Sequence, residues 1–223
     1  MTRTFAFAVA AIALLLSACA GSKVPTTQEI VDESRATVEA LRLQPHVPTF
    51  SDMLSQAHAV AIFPNLYKGA FFFGAEGGNG VVLARDASGA WSYPAFYSLA
   101  SGSFGLQMGG QRARAALIIR TPAALKALIE NQAKLGADIG LSVATFGTGL
   151  EGATTTNVGA DIIVFADAMG LYGGISLEGG ALVRRGDFNQ DFYGTISEPN
   201  DILTLRQRSN PKADALRAAL GTR

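Results

Sequence analysis

Apolar and polar positions change rhythm several times along the chain, and each change predicts an element. Phe5 to Leu16 is an unbroken apolar run of twelve residues after one early charge, Arg3. A bilayer-spanning helix needs about 20 such residues, so this run has the length of a signal-peptide core. From Thr26 the pattern turns helical. Thr26-Thr27-Gln28-Glu29 fits a capping box, in which hydroxyl and carboxylate each satisfy a free amide. Ile30, Val31, Val38 and Leu41 then form a partial stripe at helical spacing. Pro45 and Pro48 end that helix, and a second short one starts at Thr49 with Met53, Leu54 and Ala57.

Beyond His58 the period shortens to that of strands. Ala59–Phe63 (closed by Pro64), Ala70–Ala75, Val81–Arg85, Trp91–Pro94, Ser103–Gly109 and Ala115–Arg120 read as strands. Gly77-Gly78-Asn79-Gly80 and Asp86-Ala87-Ser88-Gly89 carry turn chemistry. Thr121-Pro122 predicts a helix start, with a hydroxyl cap and proline in the first turn, running to about Lys134. Strands are expected at Ile139–Phe146, Asp161–Ala166, Leu171–Leu177 and Ala181–Arg184, and a last helix at Lys212–Leu220. Short glycine-rich turns, not regular crossover helices, join the strands. The expected fold is therefore α+β: a glycine-rich, mostly antiparallel β-sheet domain with flanking helices.

The apolar run ends in Leu16-Ser17-Ala18-Cys19, the pattern of a lipobox, in which small residues fit the peptidase and the cysteine thiol takes the lipid. The expected organisation is a signal peptide over 1–18, the lipidated Cys19 and tether over 19–25, and one domain over 26–223. Cys19 is the sole cysteine, so the domain holds neither a disulfide nor a cysteine metal site. Ala20 stands where an aspartate would favour inner-membrane retention, which points to the periplasmic face of an outer membrane in a Gram-negative envelope. The chain has 18 basic and 18 acidic residues; loss of Arg3 with the signal leaves 17 against 18. That balance disfavours nucleic acid as a partner.

Candidate chemistry is sparse. His46 and His58 have no cysteine or second histidine at ligand spacing, so both read as structural or surface residues, and no metal is expected. Gly102-Ser103-Phe104-Gly105 misses the nucleophile-elbow pattern by one position. Gly147-Thr148-Gly149-Leu150-Glu151-Gly152 matches a dinucleotide fingerprint, but the following Ala153-Thr154-Thr155-Thr156-Asn157 is poor material for the required helix, so no cofactor is expected. Asp138, Asp161, Asp167 and Glu178 lie beside apolar strand segments and read as solvated strand ends. The basic residues Lys68, Arg85, Arg112, Arg114, Arg184 and Arg185 fall at strand ends or turns. Brought together they would hold lipid phosphates; the alternative is scattered surface charge.

Several blocks in fixed order resemble the SYLF domain: Ala61-Ile62-Phe63-Pro64, Val81-Val82-Leu83-Ala84-Arg85, Trp91-Ser92-Tyr93-Pro94-Ala95-Phe96, Ser103-Phe104-Gly105-Leu106-Gln107-Met108-Gly109, Lys134-Leu135-Gly136-Ala137-Asp138 and Gly170-Leu171-Tyr172-Gly173-Gly174. The resemblance covers about residues 50–195. It implies non-enzymatic phospholipid binding, in a lipoprotein branch of a family whose other members are associated with actin and phosphoinositides. Arg114 and Gly147-Thr148 depart from the family pattern, where an acidic residue and Gly-Pro are frequent. The expectation is thus an envelope lipoprotein that binds membrane phospholipids at the periplasmic face. The alternative is an interaction module for another envelope protein. An enzyme would need His46 or His58 as a histidine base.

Overall fold

The computed structural model describes residues 24–44, 49–70, 73–104, 109–131, 143–147, 160–169 and 180–221. Helix α1 (Thr27–Arg42) begins at the expected capping box: Thr26 Oγ1 accepts from Glu29 N at 3.2 Å, and Glu29 Oε2 accepts from Thr26 N at 2.7 Å. Its buried stripe is Thr27, Ile30, Val31, Ser34, Thr37, Val38 and Leu41. Helix α2 (Phe50–Ser55) follows, capped by Thr49.

Strands β1 (Ala59–Ala70), β2 (Phe73–Ala84), β3 (Ala95–Phe104), β4 (Gly109–Ile119), β5 (Val143–Gly147), β6 (Ile162–Met169) and β7 (Ala181–Arg184) form one sheet in the order β5-β6-β4-β1-β2-β3-β7. Every pairing is antiparallel except β5 with β6. Between β4 and β5 lies α3 (Pro122–Asn131). After β7 come α4 (Gly186–Tyr193), α5 (Pro199–Leu203), a 3₁₀ turn (Pro211–Ala213) and α6 (Asp214–Gly221). The fold is α+β, as expected.

Both faces of the sheet carry buried residues, which explains why its strands read as apolar runs. Ala59, Ala61, Phe63, Val82, Ala115 and Leu117 face α3 and α5; Val60, Ile62, Val81, Leu83, Ala116 and Ile118 face α1, α2, α4 and α6. Each fully buried Ile, Leu, Val or Phe contributes about 1.5–3 kcal/mol. Phe50 meets Phe165 edge-on at 5.3 Å between ring centres, and Phe96 meets Phe192 at 5.2 Å. Arg42, at the end of α1, donates to Ala219 O and Leu220 O and so ties the two helix C-termini together.

The structure corrects several boundaries. Pro64 does not close β1; the strand runs on to Ala70 with a register shift between Phe63 and Leu66. Proline is tolerated there because a bulge releases it from the ladder. Gly77-Gly78-Asn79-Gly80 is no turn but the middle of β2. Those glycines are needed for close approach: a Cβ on Gly78 would lie 1.9 Å from Asn65 O, and one on Gly80 would lie 2.1 Å from Ile62 O. Ala70–Ala75 straddles the β1–β2 connection, with Ala70 paired to Gly74. Trp91–Pro94 makes only one bridge, Arg85 to Trp91, and the strand begins at Ala95. Helices α4 and α5 went unforeseen. The expected Leu171–Leu177 strand lies outside the described residues.

Candidate functional site

The β1 bulge builds the site. Because the register slips after Phe63, Leu66 returns to the face of Ala61 and Phe63, and Asn65 and Tyr67 turn toward α1. Two adjoining clefts meet there and share Glu33, Pro64, Asn65 and Arg112. The inner one, about 190 Å³, reaches Arg114 and Asp167; the outer one, about 540 Å³, reaches Val24, Tyr67 and Asn79.

A chain of polar contacts orders this floor. Arg112 donates through Nε to Asn65 Oδ1 at 2.7 Å and also through Nη2. Asn65 Nδ2 donates to Glu33 Oε2 at 2.5 Å. The amide orientation is forced, since a guanidinium only donates and a carboxylate only accepts. Arg114 donates through Nε and Nη2 to Asp167 Oδ2 at 2.8 and 2.5 Å, with the Asp167 side chain only 13% exposed. Tyr67, opposite Arg112 in register, is 59% exposed.

The basic residues singled out from sequence do not all converge. Arg112 and Arg114 share the cleft. Arg185 stands farther across the same face, donating to Asn79 Oδ1 at 2.9 Å and to Asp187, its guanidinium 3.7 Å from the Phe188 ring centre. That bond holds the Asp187 carboxyl below the usual carboxylate range. Arg184 pairs with Glu198 at 3.5 Å. Arg85 lies at the opposite end of the strands, donating to Gly89 O at 3.1 Å and to Ser55 O, beside the Trp91 ring. Lys68 pairs in register with Gln111 on β4.

Of the remaining candidates, His58 is exposed at the start of β1, and Asp161 accepts from Thr121 Oγ1 at the start of α3. Cys19, His46, Asp138, Glu178 and all but the first residue of the Gly147–Gly152 motif lie outside the described residues. Sequence reasoning missed Asn65, Glu33 and Tyr67. The usable signal was Pro64 inside an apolar strand, which marks a bulge and hence a redirected side chain.

Helices on both faces of a mostly antiparallel sheet define the class as an α+β domain, with a cleft lined by arginine, asparagine and carboxylate at its β1 bulge. The chain belongs to the Ysc84/SYLF family, whose model, described as "Ysc84: Las17-binding protein actin regulator", matches residues 100–223. It is 32% identical over 175 residues to LAS seventeen-binding protein 3 of Saccharomyces cerevisiae, covering 77% of this chain and 38% of the relative. Protein YSC84 of the same yeast is 28% identical over 214 residues, covering 91% and 46%. SH3 domain-containing YSC84-like protein 1 of Homo sapiens is 30% identical over 152 residues, covering 68% and 44%. The chain thus spans under half the length of these relatives, of which LAS seventeen-binding protein 3 is named for binding.

Proposed function

We propose that this chain is an envelope lipoprotein, anchored through Cys19 after loss of residues 1–18, whose domain binds phospholipid head groups at the Asn65–Arg112–Arg114 cleft without catalysis. It acts at the periplasmic face of the outer membrane. The observation that carries the reading is where the tether leaves the fold. Val24 and Pro25 line the same cleft as Arg112. Cys19 is five residues upstream of Val24, a reach of at most about 18 Å. Lipid on that cysteine would hold the cleft close to the leaflet. Two or more acyl chains already anchor stably, so the cleft's task is orientation or lipid capture.

A second reading is an interaction module for an envelope protein; the name LAS seventeen-binding protein 3 and the family description speak for a protein partner. Flotation separates the two. Residues 20–223, which hold every described element, should rise with liposomes; Arg112→Ala should abolish this and Arg184→Ala should not. Absence of flotation on every lipid composition would remove membrane binding and leave the protein-partner reading.

A further inference from the structure

Lipid phosphates are usually met by clustered cations, and the cleft is not built that way. Arg114 and Arg185 each meet a carboxylate, and Arg85 is spent on backbone carbonyls. Among the described residues Arg112 meets no carboxylate directly; its guanidinium donates to Asn65 through Nε and Nη2, which leaves Nη1 for a ligand. Beside it stands an anion. Glu33 accepts from Asn65 through Oε2, which leaves Oε1.

Cation and anion are therefore held one carboxamide apart, both fixed by the same asparagine. That spacing is of the order of the two-carbon link between phosphate and ammonium in an ethanolamine head group. Resting on the phospholipid reading above, we propose that the cleft selects a zwitterionic aminoethyl phosphate head group over an anionic one. The phosphate sits on Arg112 as a charge-assisted hydrogen bond. The ammonium sits between Glu33 and the ring of Tyr67, whose π-face attracts cations. Val24 and Pro25 line the same cleft and offer apolar surface to the glycerol and the first methylenes.

An anionic lipid lacking the amine would gain only the Arg112 contact and would bring a phosphate near the Glu33 carboxylate. Selectivity by such a mismatch is a difference between two affinities, set here by one repulsive element. The Glu33–Asn65 bond supplies the register: it keeps the carboxylate from swinging onto Arg112 and neutralising it.

The test uses the full chain held in a neutral detergent and the water-soluble probes O-phosphoethanolamine, glycerol 1-phosphate and inorganic phosphate, followed through the Asn65 side-chain amide resonances. O-phosphoethanolamine is expected to bind about three- to five-fold tighter than glycerol 1-phosphate, the reach of one exposed ion pair. Glu33→Gln should erase that preference, and Arg112→Gln should remove binding of all three, with unchanged melting temperatures. Equal binding of the three probes, or a preference that survives Glu33→Gln, would overturn the selectivity. If no probe binds while liposomes still recruit residues 20–223, the site is wrong and membrane binding stands. If liposomes also fail, both readings fall.

Discussion

The two ends of the central strands use arginine differently. At the Arg85 end, guanidinium groups are committed to main-chain carbonyls: Arg85 to Gly89 O and Ser55 O, Arg206 to Ala90 O at 2.8 Å, Arg217 to Trp91 O at 2.9 Å. There Asp86 closes the turn, accepting from Ser88 N, Ser88 Oγ and Ala90 N and pairing with Arg206 at 2.9 Å. At the other end, among the described residues, the Arg112 guanidinium hydrogen-bonds only a side-chain amide, beside an exposed tyrosine and the start of the tether. A guanidinium that satisfies backbone is structural, because its loss removes the bonds that hold turn and helix end together. One that satisfies only a surface amide is available to a ligand.

Substitutions should separate the two ends, and the largest effect should fall on the bulge that makes them different. Gly80→Ala places a methyl against Ile62 O and the Phe63 ring, so β1 and β2 must part. A loss of about 2–3 kcal/mol, a fall of roughly 5–10 °C in melting temperature, is expected by circular dichroism. Arg85→Ala should come next, costing about 1–2 kcal/mol in denaturant titration and leaving lipid binding unchanged. A fall in liposome binding with no loss of stability would reverse the roles of the two ends.

Acid should weaken the Arg85 end through Asp86. Hydrogen bonds from Ser88, followed by those from the backbone and the Arg206 charge, hold its carboxyl below the ordinary value of 3.8. A folded-state value below the unfolded one contributes stability that is present above about pH 4 and fades as pH falls toward the folded value. The melting temperature should therefore drop as pH falls below about 4. Asp86→Asn should be less stable at neutral pH and show a smaller drop; an unchanged drop would remove Asp86 as a cause. The smallest effect on stability belongs to Arg112→Ala, within about 0.5 kcal/mol, because it removes an exposed group bonded to a half-buried side-chain amide.

The same contrast decides what was legible in sequence. Helix α1 was plain from Thr26, Glu29 and the Ile30–Leu41 stripe, because capping and periodicity are local. The α+β class followed from short glycine-rich connections. The bulge went unread despite the signal of Pro64, since proline after an apolar run and a run of glycines both imitate a stop when no partner strand is in view. Asn65 over Gly78 is a contact between strands, and only the pairing register reveals it. Helix α4 was hidden because Gly186 opens it and no side chain caps it. Its helical phase shows only in Phe188 and Phe192, which pack on Phe96. Arg112 and Arg114, two apart on one strand, line one cleft, whereas Arg184 and Arg185 are neighbours in sequence with separate partners, Glu198 and Asp187.

The orientation of the two ends at a membrane tests the account most directly. Residues 20–223 contain no cysteine, so a single fluorophore can be placed by Val24→Cys or by Ser88→Cys. With liposomes containing brominated phosphatidylethanolamine, the account predicts strong quenching of the probe at position 24 and little at position 88. Equal quenching at both positions, or stronger quenching at 88, would contradict it.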